Sequence, residues 1–263
     1  MKLSQIQKQK RLIKEGQIWQ LGKHRLLVGD CLDSVLVGEL CKGLSVNAII
    51  TDPPYGIDYV ASKVNLAVPA KNKTIANDDI TNDDAYTAFS TRWIQVVLPY
   101  MAKKNSIYIF NCDKMLFALK RAMDACDVYF SQLIVWVKNQ ATLARKDYAP
   151  QHELILYGWY GTHLFHKAKD KSVMFYPKPS RSLIHPTIKP NLLISRIILN
   201  STKIGGVVYD PFLGSGTTLI ACQQTGRICC GAEIDIEYAQ TIISRFENLT
   251  NSKAHLLYEK DES

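Results

Sequence analysis

Gly206-Val207-Val208-Tyr209-Asp210-Pro211-Phe212-Leu213-Gly214-Ser215-Gly216-Thr217-Thr218 is the stretch that decides the fold. Gly206 to Asp210 is an apolar run of strand length, and Thr218 to Gln224 reads as a helix stopped near Gly226. The glycines between them let the backbone approach a ligand closely, and the helix start offers free N–H groups to an anion. The following strand, Ile228 to Glu233, ends in an acid 19 positions after Gly214. In doubly wound folds a carboxylate there accepts hydrogen bonds from ribose hydroxyls. A lone GxG is weak evidence, but strand, turn, helix, strand and acid in register are much stronger. The P-loop lysine and the third glycine of the dinucleotide fingerprint are both absent, so the ligand need not carry a pyrophosphate. Adenosine at one end with a carboxylate elsewhere satisfies the pattern, and S-adenosylmethionine (SAM) is such a ligand.

Upstream, Asn47 to Thr51 is a second buried strand, and it runs into Asp52-Pro53-Pro54-Tyr55. Two prolines cannot continue a ladder, because neither has an N–H and both have fixed φ. The chain must leave the sheet in a stiff turn that projects a carboxylate, a carbonyl and an aromatic ring. That set suits a planar group bearing an amino substituent. It equally suits a plain strand stop with a packing tyrosine, so the tetrapeptide alone does not choose.

The rest of the chain is consistent with one α/β domain over residues 1–263. Residues 1–16 form a basic arm. Ile18–Leu21 and His24–Val28 flank Gly22-Lys23 as a hairpin, and Cys31 to Leu44 holds a short helix. Residues 56–84 lack periodicity and read as a flexible substrate loop. A helix covers Ala85 to Tyr100, a strand Ser106–Phe110, a helix Lys114–Cys126, and strands Phe130–Val137 and His152–Trp159. Leu192–Leu199 and Tyr238–Leu249 are further helices. Seven cysteines without a CxxC pair indicate neither a disulfide framework nor a zinc site, and they suit a reducing cytoplasm. No apolar run approaches the ~20 residues of a membrane span.

A formal net charge of +8 suggests a polyanionic partner but does not choose among DNA, RNA and a membrane surface. Its distribution is more telling. Lys138 to Lys189 holds nine Lys or Arg against three acids, with four of the six histidines and many aromatics between them. Basic residues interleaved with rings suit phosphate contacts and base stacking. We therefore expect a DNA-recognition insertion over 138–183, with Lys138, Arg145, Lys146, Tyr148, His152, Lys167, Lys169, Lys171 and Arg181 as candidate contacts. Asp147 and Glu153 lie among them.

With His185-Pro186-Thr187-Ile188-Lys189-Pro190 between the two motifs, the chain resembles the bacterial and phage amino-methyltransferases that modify DNA. The catalytic motif precedes the cofactor turn, and that order resembles the circularly permuted beta group. The resemblance implies a Rossmann-like, mainly parallel seven-stranded sheet with one antiparallel strand. It also implies SAM as methyl donor and no metal. Asp52, Pro53, Pro54 and Tyr55 match the catalytic motif. Asp210, Phe212, Gly214, Ser215, Gly216, Thr217 and Glu233 match the cofactor site, His185, Thr187 and Lys189 its methionine end, and Asp30 and Cys31 the position beside its adenine ring. A helix cap is the other reading of Asp30.

Asp at the head of the motif is more typical of relatives that methylate adenine N6, and Ser of those that methylate cytosine N4. The expectation is thus N6-adenine methylation of double-stranded DNA by base flipping, with cytosine N4 as the alternative. Methylation of RNA or of a protein amide, and an inactive DNA-binding relative, are more distant. Relatives often form homodimers or accompany a restriction endonuclease.

Overall fold

A computed structural model describes residues 12–54, 82–141, 147–167, 169–178 and 189–260. Its first half comprises β1 (Gln17–Leu21), β2 (His24–Val28), α1 (Ser34–Cys41), β3 (Val46–Thr51), α2 (Asp83–Val97), β4 (Met101–Asn111), α3 (Leu116–Ala125) and β5 (Val128–Val137). Then follow β6 (His152–Tyr160), β7 (Thr162–His163), β8 (Val173–Phe175), α4 (Asn191–Ser201), β9 (Val207–Asp210), α5 (Thr217–Thr225), β10 (Ile228–Glu233), α6 (Ile236–Thr250) and β11 (His255–Glu259).

Period-two alternation in the central strands serves two cores at once. Ala48 and Ile50 of β3, with Tyr108 and Phe110 of β4, face α4, α5 and α6. Val46, Ile49, Ile107 and Ile109 face α1, α2 and α3. The result is a three-layer α/β/α molecule whose central strands are apolar on both faces, as buried parallel strands require. Local chemistry sets the helix starts. Asp33 accepts from the Val35 and Leu36 amides, Asn82 from Ala85, and Asp235 from Glu237 and Tyr238, each cap contributing about 1 kcal/mol. Asp83 and Asp84 therefore belong to the first turn of α2 rather than to the expected loop; the rest of that loop, 56–81, lies outside the described residues.

The strand order is β11-β1-β2-β10-β9-β3-β4-β6-β5-β8, with β7 beside β4. Seven of these, β2 through β5, form the expected mainly parallel sheet, with β6 antiparallel to both neighbours. The structure adds β1 and β11 at one edge and β8 at the other, and β1 is also reversed. Within the segment 138–183, expected as a DNA-recognition insertion, the strand β6 lies inside the sheet with Leu154 to Gly158 buried. All seven cysteines are free thiols. Among the described residues no helix is long and apolar enough to cross a membrane.

Candidate active site at the carboxyl ends of the strands

β3 and β9 are parallel neighbours, yet the chain leaves them in opposite directions across the sheet. From β3 it continues through α2 to β4 on one side, and from β9 through α5 to β10 on the other. The carboxyl ends at such a divergence form the crevice where doubly wound sheets bind ligands. Four acids stand at the ends of four adjacent strands there: Asp30 after β2, Glu233 on β10, Asp210 on β9 and Asp52 after β3. The two motifs of the sequence therefore meet, and Thr51 Oγ1 donates to Asp210 Oδ1 at 2.8 Å across the gap.

The turn after β9 is built by its glycines. Gly214 has φ 54° and Gly216 φ 83°, left-handed values that side chains rarely adopt. Gly216 heads α5 without a side-chain cap. Asp210 also accepts from the Phe212 amide at 3.1 Å, and burial pushes its carboxyl up to about 6 against the hydrogen bonds from Thr218 and Thr51. Phe212 is fixed by Phe89 and Trp93, with ring centroids 5.9 and 5.8 Å away. Arg245 donates to the Ser215 carbonyl from α6. Glu233 accepts from Gly214 N at 2.7 Å and Asp235 N at 2.9 Å, and burial pushes it up to about 7. Asp30 closes a turn by accepting from Leu32 N at 2.9 Å, whereas the helix cap is Asp33; Asp30 is therefore no cap. Cys31 is buried beside it, and that burial raises its thiol.

On the other side of the divide Pro53 is buried, and Asp52 forms an ion pair with Lys189. The family resemblance implies Lys189 at the methionine end of a cofactor; the structure brings its ammonium onto the Asp52 carboxylate. The same nitrogen lies 3.1 Å from Glu153 Oε2 and 5.2 Å from the centre of the Phe110 ring. Burial opposes the charge on Lys189, but Asp52 and Glu153 outweigh it and hold the ammonium above its ordinary range. Glu153 is in turn 2.8 Å from Lys138, and although burial favours its neutral form, the two lysines hold it below the usual carboxylate range. Sequence reasoning gave neither Lys138 nor Glu153 this role. The available signal was a pair of opposite charges, one after the apolar run of β5 and one at the start of β6.

Six of the nine candidate DNA contacts lie among the described residues. Lys138 is 7% exposed and turned inward to Glu153. Lys167, Lys169 and Lys171 are exposed on the run that leads from β7, beside the amino end of β4, to β8. Arg196 and Asn200 of α4 clamp Asp170 within that run, and hydrogen bonding from Arg196 holds the Asp170 carboxyl well below the usual range. Tyr148 is exposed, and His152 lies 3.4 Å from Asp113. Tyr55, Arg145, Lys146, Arg181, His185 and Thr187 lie outside the described residues.

A doubly wound sheet with an acid-lined crevice at its divergence point defines a nucleotide-ligand-binding α/β protein. The DNA methylase family model matches residues 46–180 and 162–244, and the chain belongs to that family. The Type II methyltransferase M.HpaI of Haemophilus parainfluenzae is 28% identical over 249 residues, covering 84% of this chain and 74% of its own. The crystal structure of an M1.HpyAVI–SAM complex matches with a TM-score of 0.60 at 25% identity, over 84% of this chain and 98% of that one. PvuII DNA methyltransferase, described as cytosine-N4-specific, matches with a TM-score of 0.67 at 16% identity over 91% and 92% of the chains, a likeness of fold alone.

Proposed function

We propose that this chain transfers a methyl group from SAM to the N6 amino group of adenine in a short sequence of double-stranded DNA. The observation that carries the reading is the meeting of Asp52 with the Asp210–Thr217 turn at one divergence point, bridged by Thr51. The residues present fit SAM. Glu233 is a desolvated carboxylate suited to ribose hydroxyls, Asp30 ends the adjacent strand, and the start of α5 lacks a side-chain cap. The SAM complex of a relative supports the same donor. Bound there, SAM supplies an electrophilic sulfonium methyl.

The chain's own contribution is positioning and charge. An exocyclic amino nitrogen is a poor nucleophile, because its lone pair is delocalised into the ring. Asp52 accepts one amino hydrogen and the Pro53 carbonyl the other, which favours a more tetrahedral nitrogen as the new bond forms. The prolines preset that geometry. The base must leave the duplex to reach them, and Tyr55 serves as the stacking ring.

Asp at the head of the motif is what favours adenine. The fold does not choose the base, since PvuII methyltransferase shares it. Purified protein, labelled SAM and duplex DNA followed by nucleoside mass spectrometry give the answer. N6-methyl-2′-deoxyadenosine supports the proposal, N4-methyl-2′-deoxycytidine replaces the base, and a parallel reaction with RNA or protein that takes label while DNA takes none removes it.

Glu233 also predicts a pH dependence. With its carboxyl pushed up to about 7 by burial, and by Asp235 and Asp210 nearby, much of it is protonated in the free protein just below neutrality. Ribose hydroxyls donating to it favour the ionised form, so SAM binding releases protons. Affinity should be full above about pH 7 and fall as the pH drops through that value. Calorimetry at about pH 6.5 in buffers of different ionisation heat should show net proton release. Affinity that stays flat across this window would take Glu233 off the ribose.

A further inference from the structure

We infer that Glu153 is a positioning residue for the Asp52 carboxylate, acting through the Lys189 ammonium that the two acids share. The inference rests on Asp52 being the amino-group acceptor. It starts from topology. Because β6 runs against its neighbours, its first residues, not its last, lie at the ligand-binding end of the sheet. Glu153 pairs there with Trp136, and the ladder end is tied by Lys138 N donating to the Gln151 carbonyl at 2.8 Å and Gln151 Nε2 to the Lys138 carbonyl at 3.1 Å. The carboxylate is thus fixed by a rigid element.

Its two oxygens divide between two cations, Oε1 to Lys138 at 2.8 Å and Oε2 to Lys189 at 3.1 Å. Charges alternate along the line Lys138, Glu153, Lys189, Asp52, with the Trp136 and Phe110 rings beside the two ammonium groups at 5.4 and 5.2 Å. The lysine side chains are 6% and 8% exposed, so solvent screens these attractions little. A lysine is a point charge on a flexible stem. Drawn to Asp52 alone, it would settle over the oxygens that must accept the amino hydrogen. Glu153 competes for it and sets how much of Asp52 remains for the base. With its side chain 19% exposed and both oxygens on lysines, Glu153 is placed to hold the network, not to read DNA.

Glu153→Gln keeps the shape and removes the charge. It should lower the single-turnover methylation rate about 30-fold or more, with the dissociation constants for SAM and DNA changing less than about threefold. In a Lys189→Met background the same change should cost less than about twofold, because its route to Asp52 is already gone. Equal losses in both backgrounds overturn the inference, as does DNA affinity falling in step with rate, which would make Glu153 a DNA contact. If Glu153→Gln does not fold, Glu153→Asp is put through the same cycle and judged by the same two outcomes. An unmodified protein that transfers no methyl to DNA removes the parent reading instead, a result distinct from any difference between variants.

Discussion

Asp52→Ala is expected to slow methyl transfer at least about 10³-fold while SAM affinity stays within about threefold. The carboxylate stands in a turn whose geometry is preset. β3 ends at Thr51, Pro53 is buried, and the two prolines leave the turn little freedom to bring another acceptor into place. Alanine removes the group that takes the amino hydrogen, an interaction made most strongly as the nitrogen becomes tetrahedral, so the loss falls on the rate. It also takes one carboxylate from Lys189, which is 8% exposed, and some thermal stability should go with it. Asp52→Asn separates the two effects, because it keeps the shape and one acceptor oxygen; its rate should lie between alanine and the unmodified protein. Single-turnover rates with labelled SAM, beside calorimetric SAM binding, make the measurement. Transfer by Asp52→Ala at the unmodified rate would remove Asp52 from catalysis.

Much of this site can be read in the sequence because it is built from local signals. The strand, glycine turn, helix and acid from Gly206 to Glu233 occupy consecutive positions, and β10 spans Ile228–Glu233, the bounds its sequence predicts. The prolines after Asp52 announce the end of β3 equally locally. The Lys138–Glu153–Lys189–Asp52 line is different. It needs four segments brought together by a reversed strand, and no spacing along the chain encodes that. The strand His152–Trp159 is legible as an apolar run, but its reversed direction between β4 and β5 is not, and that direction is what carries Glu153 to the ligand-binding end. The edge strands went unseen for another reason. Val173 and Phe175 of β8 are 44% and 74% exposed, and Leu256 and Leu257 of β11 are 45% and 49% exposed, so neither segment has the apolar alternation that marks a covered strand.

Gly231→Ala should do the reverse of Asp52→Ala, weakening SAM binding at least about tenfold while sparing the transfer step at saturating SAM. Gly231 lies within β10, opposite Asp210 of β9, and sequence reasoning assigned it nothing. A Cβ there would stand 2.5 Å from Leu213 Cδ1 and 2.6 Å from the Asp210 carbonyl oxygen, closer than real contacts allow. The leucine side chain can turn aside, but the carbonyl belongs to backbone that is tied down. Leu213 N donates to the Ala232 carbonyl at 3.0 Å and Gly214 N to Glu233 at 2.7 Å, so the turn must lift away from β10 as a unit. Such crowding costs about 1–3 kcal/mol in stability. The displaced part is the one proposed to hold SAM, whereas Asp52 and Lys189 approach the crevice from β3 and the start of α4. SAM titrations and rates at several SAM concentrations test this division of labour. Unchanged SAM affinity in Gly231→Ala would mean that the Asp210–Thr217 turn does not carry the cofactor.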